Sequence, residues 1–164
     1  MRKHQSGSVL IVALGLTLMI SAMVISAVQR AGLQQKMAAN LKDKELSFQA
    51  AESALKQGEN FLMTSSEEAL FGTFNGTEGL YTYDKNRDFV SDENWQSMST
   101  RKADRLHQVR SMPEYVIEEL PEVRELDDSL EIPRPISSHY YRVTAKSNGG
   151  TDSAKTVLQI MYKK

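Results

Sequence analysis

A chain of 164 residues carrying 20 Lys and Arg against 21 Asp and Glu is almost neutral, so nothing in its charge favours a nucleic-acid or anionic-lipid partner. The absence of cysteine excludes disulfide frameworks, thiolate zinc sites and thiol catalysis together. With 40% hydrophobic residues and a mean hydropathy of −0.43, the composition is that of one modest folded domain, not a disordered chain.

The first element breaks with that average. MRKHQSG is followed by SVLIVALGLTLMISAMVISAV, with no charge from Ser8 to Val28. As a helix this stretch spans roughly 30 Å, the thickness of a bilayer's hydrocarbon core. Thr17, Ser21 and Ser26 can return their hydroxyls to the helix backbone. Arg2 and Lys3 precede the segment, which predicts a cytoplasmic N-terminus and the remainder outside. Three processing routes compete: a secretory signal with Ala22, Ser26 and Ala27 imitating its cleavage site, an uncut anchor, or cleavage on the cytoplasmic side at Gly7-Ser8.

The next stretch, QRAGLQQKMAANLKDKELSFQAAESALKQGENFL, has no proline and is rich in good helix formers. Leu33, Met37, Leu41, Phe48, Ala51, Leu55 and Leu62 fall at spacings of three, four or seven, an amphipathic stripe predicting helix packing. Gly58 is expected to loosen the end of the run. Residues 63–112 are polar; Gly72, Gly76 and Gly79 signal turns, and Asp104–Val109 is expected to form a short helical turn. Strands are predicted at Tyr115–Leu120, Tyr140–Lys146 and Lys155–Tyr162, with the last two joined by a hairpin through SNGGTD at 147–152. Pro113, Pro121, Pro133 and Pro135 punctuate this region. The fold class is therefore α+β: a long N-terminal helix, transmembrane then amphipathic, packed on a small antiparallel sheet of three or four strands.

Candidate chemistry is sparse. His4, His107 and His139 lack metal-ligand spacing, and Asn86, Asp88, Asp92 and Glu93 offer hard oxygens without the EF-hand pattern. Trp95, the single tryptophan, reads as a packing anchor. No nucleophile–base order or phosphate loop stands out, so we expect neither enzyme activity nor a cofactor or metal.

Three features together resemble the PilX-type minor pilins of type IV pili. These are the basic leader ending in Gly7, the start SVLIVAL, and KMAANLKDKELSFQAAESAL at 36–55, similar to a family signature of Met-Ala-x-Asn-Leu followed by Phe-Gln-Ala-Ala-Glu. PEYVIEEL and YYRVTAKSNGGTDSAKTVLQIMYKK resemble the family's closing strands. The resemblance implies a prepilin leader at 1–7 cut by prepilin peptidase between Gly7 and Ser8, with N-methylation of Ser8. It further implies a transmembrane half at 8–28, an amphipathic half at 29–62, a variable connection at 63–112 and a β head at 113–164. Val12 stands where major pilins carry a glutamate, and Gln29 near where they carry a helix-breaking proline, which implies a tip or initiating subunit. Implied partners are other minor pilins, the major pilin, the pilus assembly platform, a tip adhesin and the inner membrane, with the head periplasmic and later part of an extracellular pilus. The pilus would serve motility, adhesion or DNA uptake. A type II secretion pseudopilin, or an uncleaved membrane-anchored periplasmic binding or sensor domain, stays open as an alternative.

Overall fold

The structure, a computed structural model, describes residues 6–121, 123–126 and 135–164; Arg2, Lys3, His4, Asp127, Asp128, Glu131 and Pro133 lie outside the described residues. One helix, α1, runs without interruption from Ser6 to Thr64. Its sequence explains the continuity: there is no proline, and the intrahelical hydroxyl bonds Thr17 Oγ1 to Leu14 O, Ser21 Oγ to Thr17 O and Ser26 Oγ to Ala22 O keep polar side chains satisfied within an apolar cylinder. The chain divides into two compact units, Met1–Leu41 and Lys42–Lys164. In the first, the apolar stretch has a mean hydropathy of 2.6 and is long enough to cross a membrane.

Among the described residues of the second unit, α2 (Glu67–Leu70) and α3 (Asp92–Ser97) accompany seven strands. Among the described residues, β1 (Leu80–Thr82), β2 (Arg101–Lys102), β3 (Glu114–Glu119), β6 (Tyr140–Asn148) and β7 (Lys155–Lys163) form one sheet, while β4 (Val123–Leu126) and β5 (Pro135–Ser138) pair separately. The three predicted strands are β3, β6 and β7, antiparallel in that order, with Ile117 opposite Val143 and Val143 opposite Ile160. The sheet is mixed, not purely antiparallel. β1 pairs parallel to β3, Leu80 opposite Ile117, and β2 pairs antiparallel with the preceding part of the same edge. This corrects the expectation of a wholly antiparallel sheet: the 63–112 connection itself contributes two strands, because positive φ at Gly72, Gly76 and Gly79 turns the chain back along β3.

Alternation along the strands makes two cores. Tyr115, Ile117, Tyr141, Val143 and Ala145 face α1 with Ala54, Leu55 and Leu62, and Phe74 stacks on Tyr141 at 5.5 Å. Val116 faces the other way into a cluster with Tyr81, Phe89 and Trp95. Residues Asp104–Val109 do not form the expected helix; the chain makes a turn at 107–108, with Gln108 at φ 71°. Gly58 does not loosen α1 either. It is buried, and a Cβ there would lie 2.6 Å from Val143 Cγ1, so glycine serves close approach of helix and sheet.

Candidate assembly interface

From Val9 to Val28 the first unit presents large apolar side chains on every side of α1, and Val9, Leu10, Ile11, Val12, Leu14 and Leu16 are all exposed. A helix apolar all round is built for burial in lipid or among other helices. Val12 sits within this surface and supplies no carboxylate. Gly7 and Ser8 lie in the first turn of α1. Leu33, Met37 and Leu41 extend the exposed apolar surface beyond the uncharged segment.

The second unit uses a different helix face. Ser47, Ala50, Ala51, Ala54, Leu55, Gly58 and Leu62 are buried at steps of three and four, whereas Phe48 remains 47% exposed. Of the residues marked for helix packing, Ala51 and Leu55 thus lie against the sheet, while Leu33, Met37, Leu41 and Phe48 present apolar surface outward. The reliance on small residues is a packing device, since it lets a helix lie close on strands carrying Tyr and Val.

A polar clasp fastens the start of this face. Asp43 Oδ1 accepts from the backbone N–H of Gly150 (2.5 Å) and Thr151 (3.2 Å), and the Thr151 hydroxyl donates to Oδ2. The adjacent Lys44 ammonium donates to Lys155 O, and one turn on the Ser47 and Thr156 hydroxyls share a hydrogen bond of 2.6 Å. Sequence reasoning missed Asp43. The available signal was the glycine pair in SNGGTD: a Cβ on Gly149 would overlap the Asp43 carboxylate, so that glycine is required by the approach of α1. The Thr151 hydroxyl bond, aided by both amides and opposed by desolvation, holds Asp43 below its ordinary 3.8. A carboxylate with a depressed value stabilises the fold above pH 3.8 and loses that contribution as pH falls through its lower folded value. In the full chain in detergent, the Gly150 amide proton shift should therefore titrate with a midpoint below 3.8, and Asp43→Asn should abolish that titration. A midpoint at or above the ordinary value would mean the clasp is not formed.

Two carboxylates of the 84–90 loop are occupied by structural work, and the side chains of Asp92 and Glu93 lie outside the described residues. The Asp84 carboxylate accepts from Asn86 N (2.9 Å) and that of Asp88 from Val90 N (2.8 Å), each closing a turn on itself. Among the described residues, no three His, Asp or Glu side chains are grouped so as to hold a metal ion. Trp95 is buried and donates its indole N–H to Phe89 O at 2.6 Å, which makes it a packing anchor. The second unit also buries a carboxylate: Glu118, 1% exposed, is paired with Arg142 directly across from it on β6.

Residues 65–164 match the family described as type IV pilus assembly protein PilX C-term, and residues 6–56 match the family described as PilX N-terminal. No curated protein and no solved structure gives a significant match to the chain.

Proposed function

Because the chain belongs to the PilX family of type IV pilus assembly proteins, we propose that this minor pilin helps start a pilus from a complex of minor pilins at its tip. Its family is structural, and its work is binding. The observation that carries the reading is α1: apolar on all sides across a membrane's thickness, then still exposing Leu33, Met37 and Leu41. Lipid covers the first part before extraction, and the helices of neighbouring subunits cover both parts afterwards. Prepilin peptidase cuts between Gly7 and Ser8 and Ser8 is N-methylated, with the leader cytoplasmic and the head periplasmic.

Val12 supports the tip position. A glutamate within the bilayer costs a few kcal/mol, a cost that pairing with a neighbour's N-terminal amine offsets. A first subunit has no earlier neighbour and does without the acid. Lateral partners are other minor pilins and, below them, the major pilin, with the assembly platform lifting the complex and a tip adhesin riding on it. Motility, adhesion and DNA uptake are the outputs such a pilus serves.

The test is the N-terminus of the mature protein, read by mass spectrometry on membranes of its own host. The expected species begins at methylated Ser8, and Gly7→Ala should keep residues 1–7 and drop the protein from sheared pili by at least about tenfold. An uncut wild-type chain would make it an anchored periplasmic domain instead.

A further inference from the structure

We propose that the recess beside α2 receives an arginine or lysine side chain from the head of a neighbouring pilus subunit, an inference that rests on the assembly role above. The recess, of about 320 Å³, lies between α2, the end of β3 and the start of β6. Its walls carry Glu67 and Glu68 from α2 and Glu119 from β3, with His139 beside them. None of these three carboxylates takes part in an ion pair among the described residues, whereas Glu52, Glu78 and Glu118 do.

The floor of the recess is Tyr141. It is 3% exposed, its ring is fixed against Phe74, and its hydroxyl has no hydrogen-bond partner among the described residues. The hydroxyl is the part of this buried side chain left open to the recess, so it is free to bond to a polar atom that enters. Burial, with the nearby charges of Glu119 and Glu67, pushes the phenol above its ordinary value. It therefore keeps its proton at neutral pH, and its oxygen is left to accept from an incoming N–H.

The carboxylates are too dispersed to chelate, since no three acidic or histidine side chains group for a metal among the described residues. Dispersed acceptors around one hydroxyl suit the several spread donors of a guanidinium, or the rotatable donors of an ammonium. Phe71 stands at the mouth, 92% exposed. An exposed aromatic at the lip of an acidic recess offers its face to a cation and its edge to the aliphatic stem behind it. Those features describe a protein side chain, held by stem and head together.

The experiment places p-benzoylphenylalanine at position 71 of the full chain, irradiates assembled pili, and sequences the adduct. The expected adduct is a peptide from the head of another pilus subunit, with an arginine or lysine at or next to the cross-linked residue. Glu67→Gln with Glu119→Gln should lower its yield about tenfold without moving the unfolding midpoint. A yield indifferent to those charges, or an adduct with no cation nearby, overturns the proposal. Loss of the adduct on chelator treatment would reassign the recess to a divalent cation. Absence of the chain from pili would overturn this proposal and the assembly role together; presence with a charge-independent adduct would overturn this one alone.

Discussion

Arg142→Ala is expected to destabilise the head by about 3 kcal/mol, because it strands a buried carboxylate. Glu118 is fully enclosed, and Arg142 reaches it through both Nε, at 2.8 Å, and Nη2. The pair is a direct cross-strand pair between β3 and β6, so removing the cation cannot be relieved by a change of register. Glu118 also accepts from Asp84 N at 3.2 Å, which ties the loop after β1 to the same charge. Replacing both members, Glu118→Leu with Arg142→Met, should cost far less than the single change, leaving mainly the Asp84 amide without its acceptor. Guanidinium unfolding of the full chain in detergent, followed by the fluorescence of Trp95, reads the head directly because that indole is the only one in the chain. A single-variant loss below about 1 kcal/mol would show that water reaches the carboxylate once the arginine is gone.

Gly58→Leu should cost about 3 kcal/mol by the same measurement, the upper end of what overpacking a core does. The first added atom already meets Val143 Cγ1 at 2.6 Å and Tyr115 Cδ2 at 3.1 Å. Val143 is β-branched and fully buried, so it has less room to swing aside than a longer, flexible side chain would. Gly58→Ala is the finer test, since alanine gains about 1 kcal/mol of helix propensity and must still displace Val143. We expect the contact to prevail and the variant to be less stable than the native chain. A stabilised Gly58→Ala would mean that helix and sheet can part by a few tenths of an ångström without loss.

These two sites mark where the sequence was readable and where it was not. The long helix, the strand pair closing on SNGGTD and the preceding PEYVIEEL strand declare themselves through local periodicity, and each falls within a residue or two of its expected bounds at most ends. The helix face that packs on the sheet is different. A search for large apolar residues finds Leu55 and Leu62, which are buried, and also Phe48, which is not; it passes over Ser47, Ala50, Ala54 and Gly58, whose smallness matters only once a sheet lies against them. β1 and β2 are three and two residues long, too short to carry a period, and exist through their pairing with β3. Glu118 sits within a β-rich run, and only its partner 24 positions on makes its burial tolerable. The acidic recess was illegible for the same reason: Glu67, Glu119 and Tyr141 meet only in the folded head.

The attachment of β7 to α1 also bears on force. Lys155 and Thr156, at the start of β7, bond to Lys44 and Ser47, and Lys164, just past its end, donates to Leu62 O and Ser65 O. Helix and strand therefore run the same way and are tied at both ends. From Lys44 to Leu62 the helix rises about 27 Å, and nine steps of strand cover about 30 Å, so the two match in length. A pull on α1 toward its N-terminus loads both sets of ties at once, in shear, along with every side chain between them. Contacts loaded in shear must fail together, whereas contacts peeled from one end fail singly. A subunit drawn out by its helix is thus gripped along the whole length of the strand, with no cysteine to lock it.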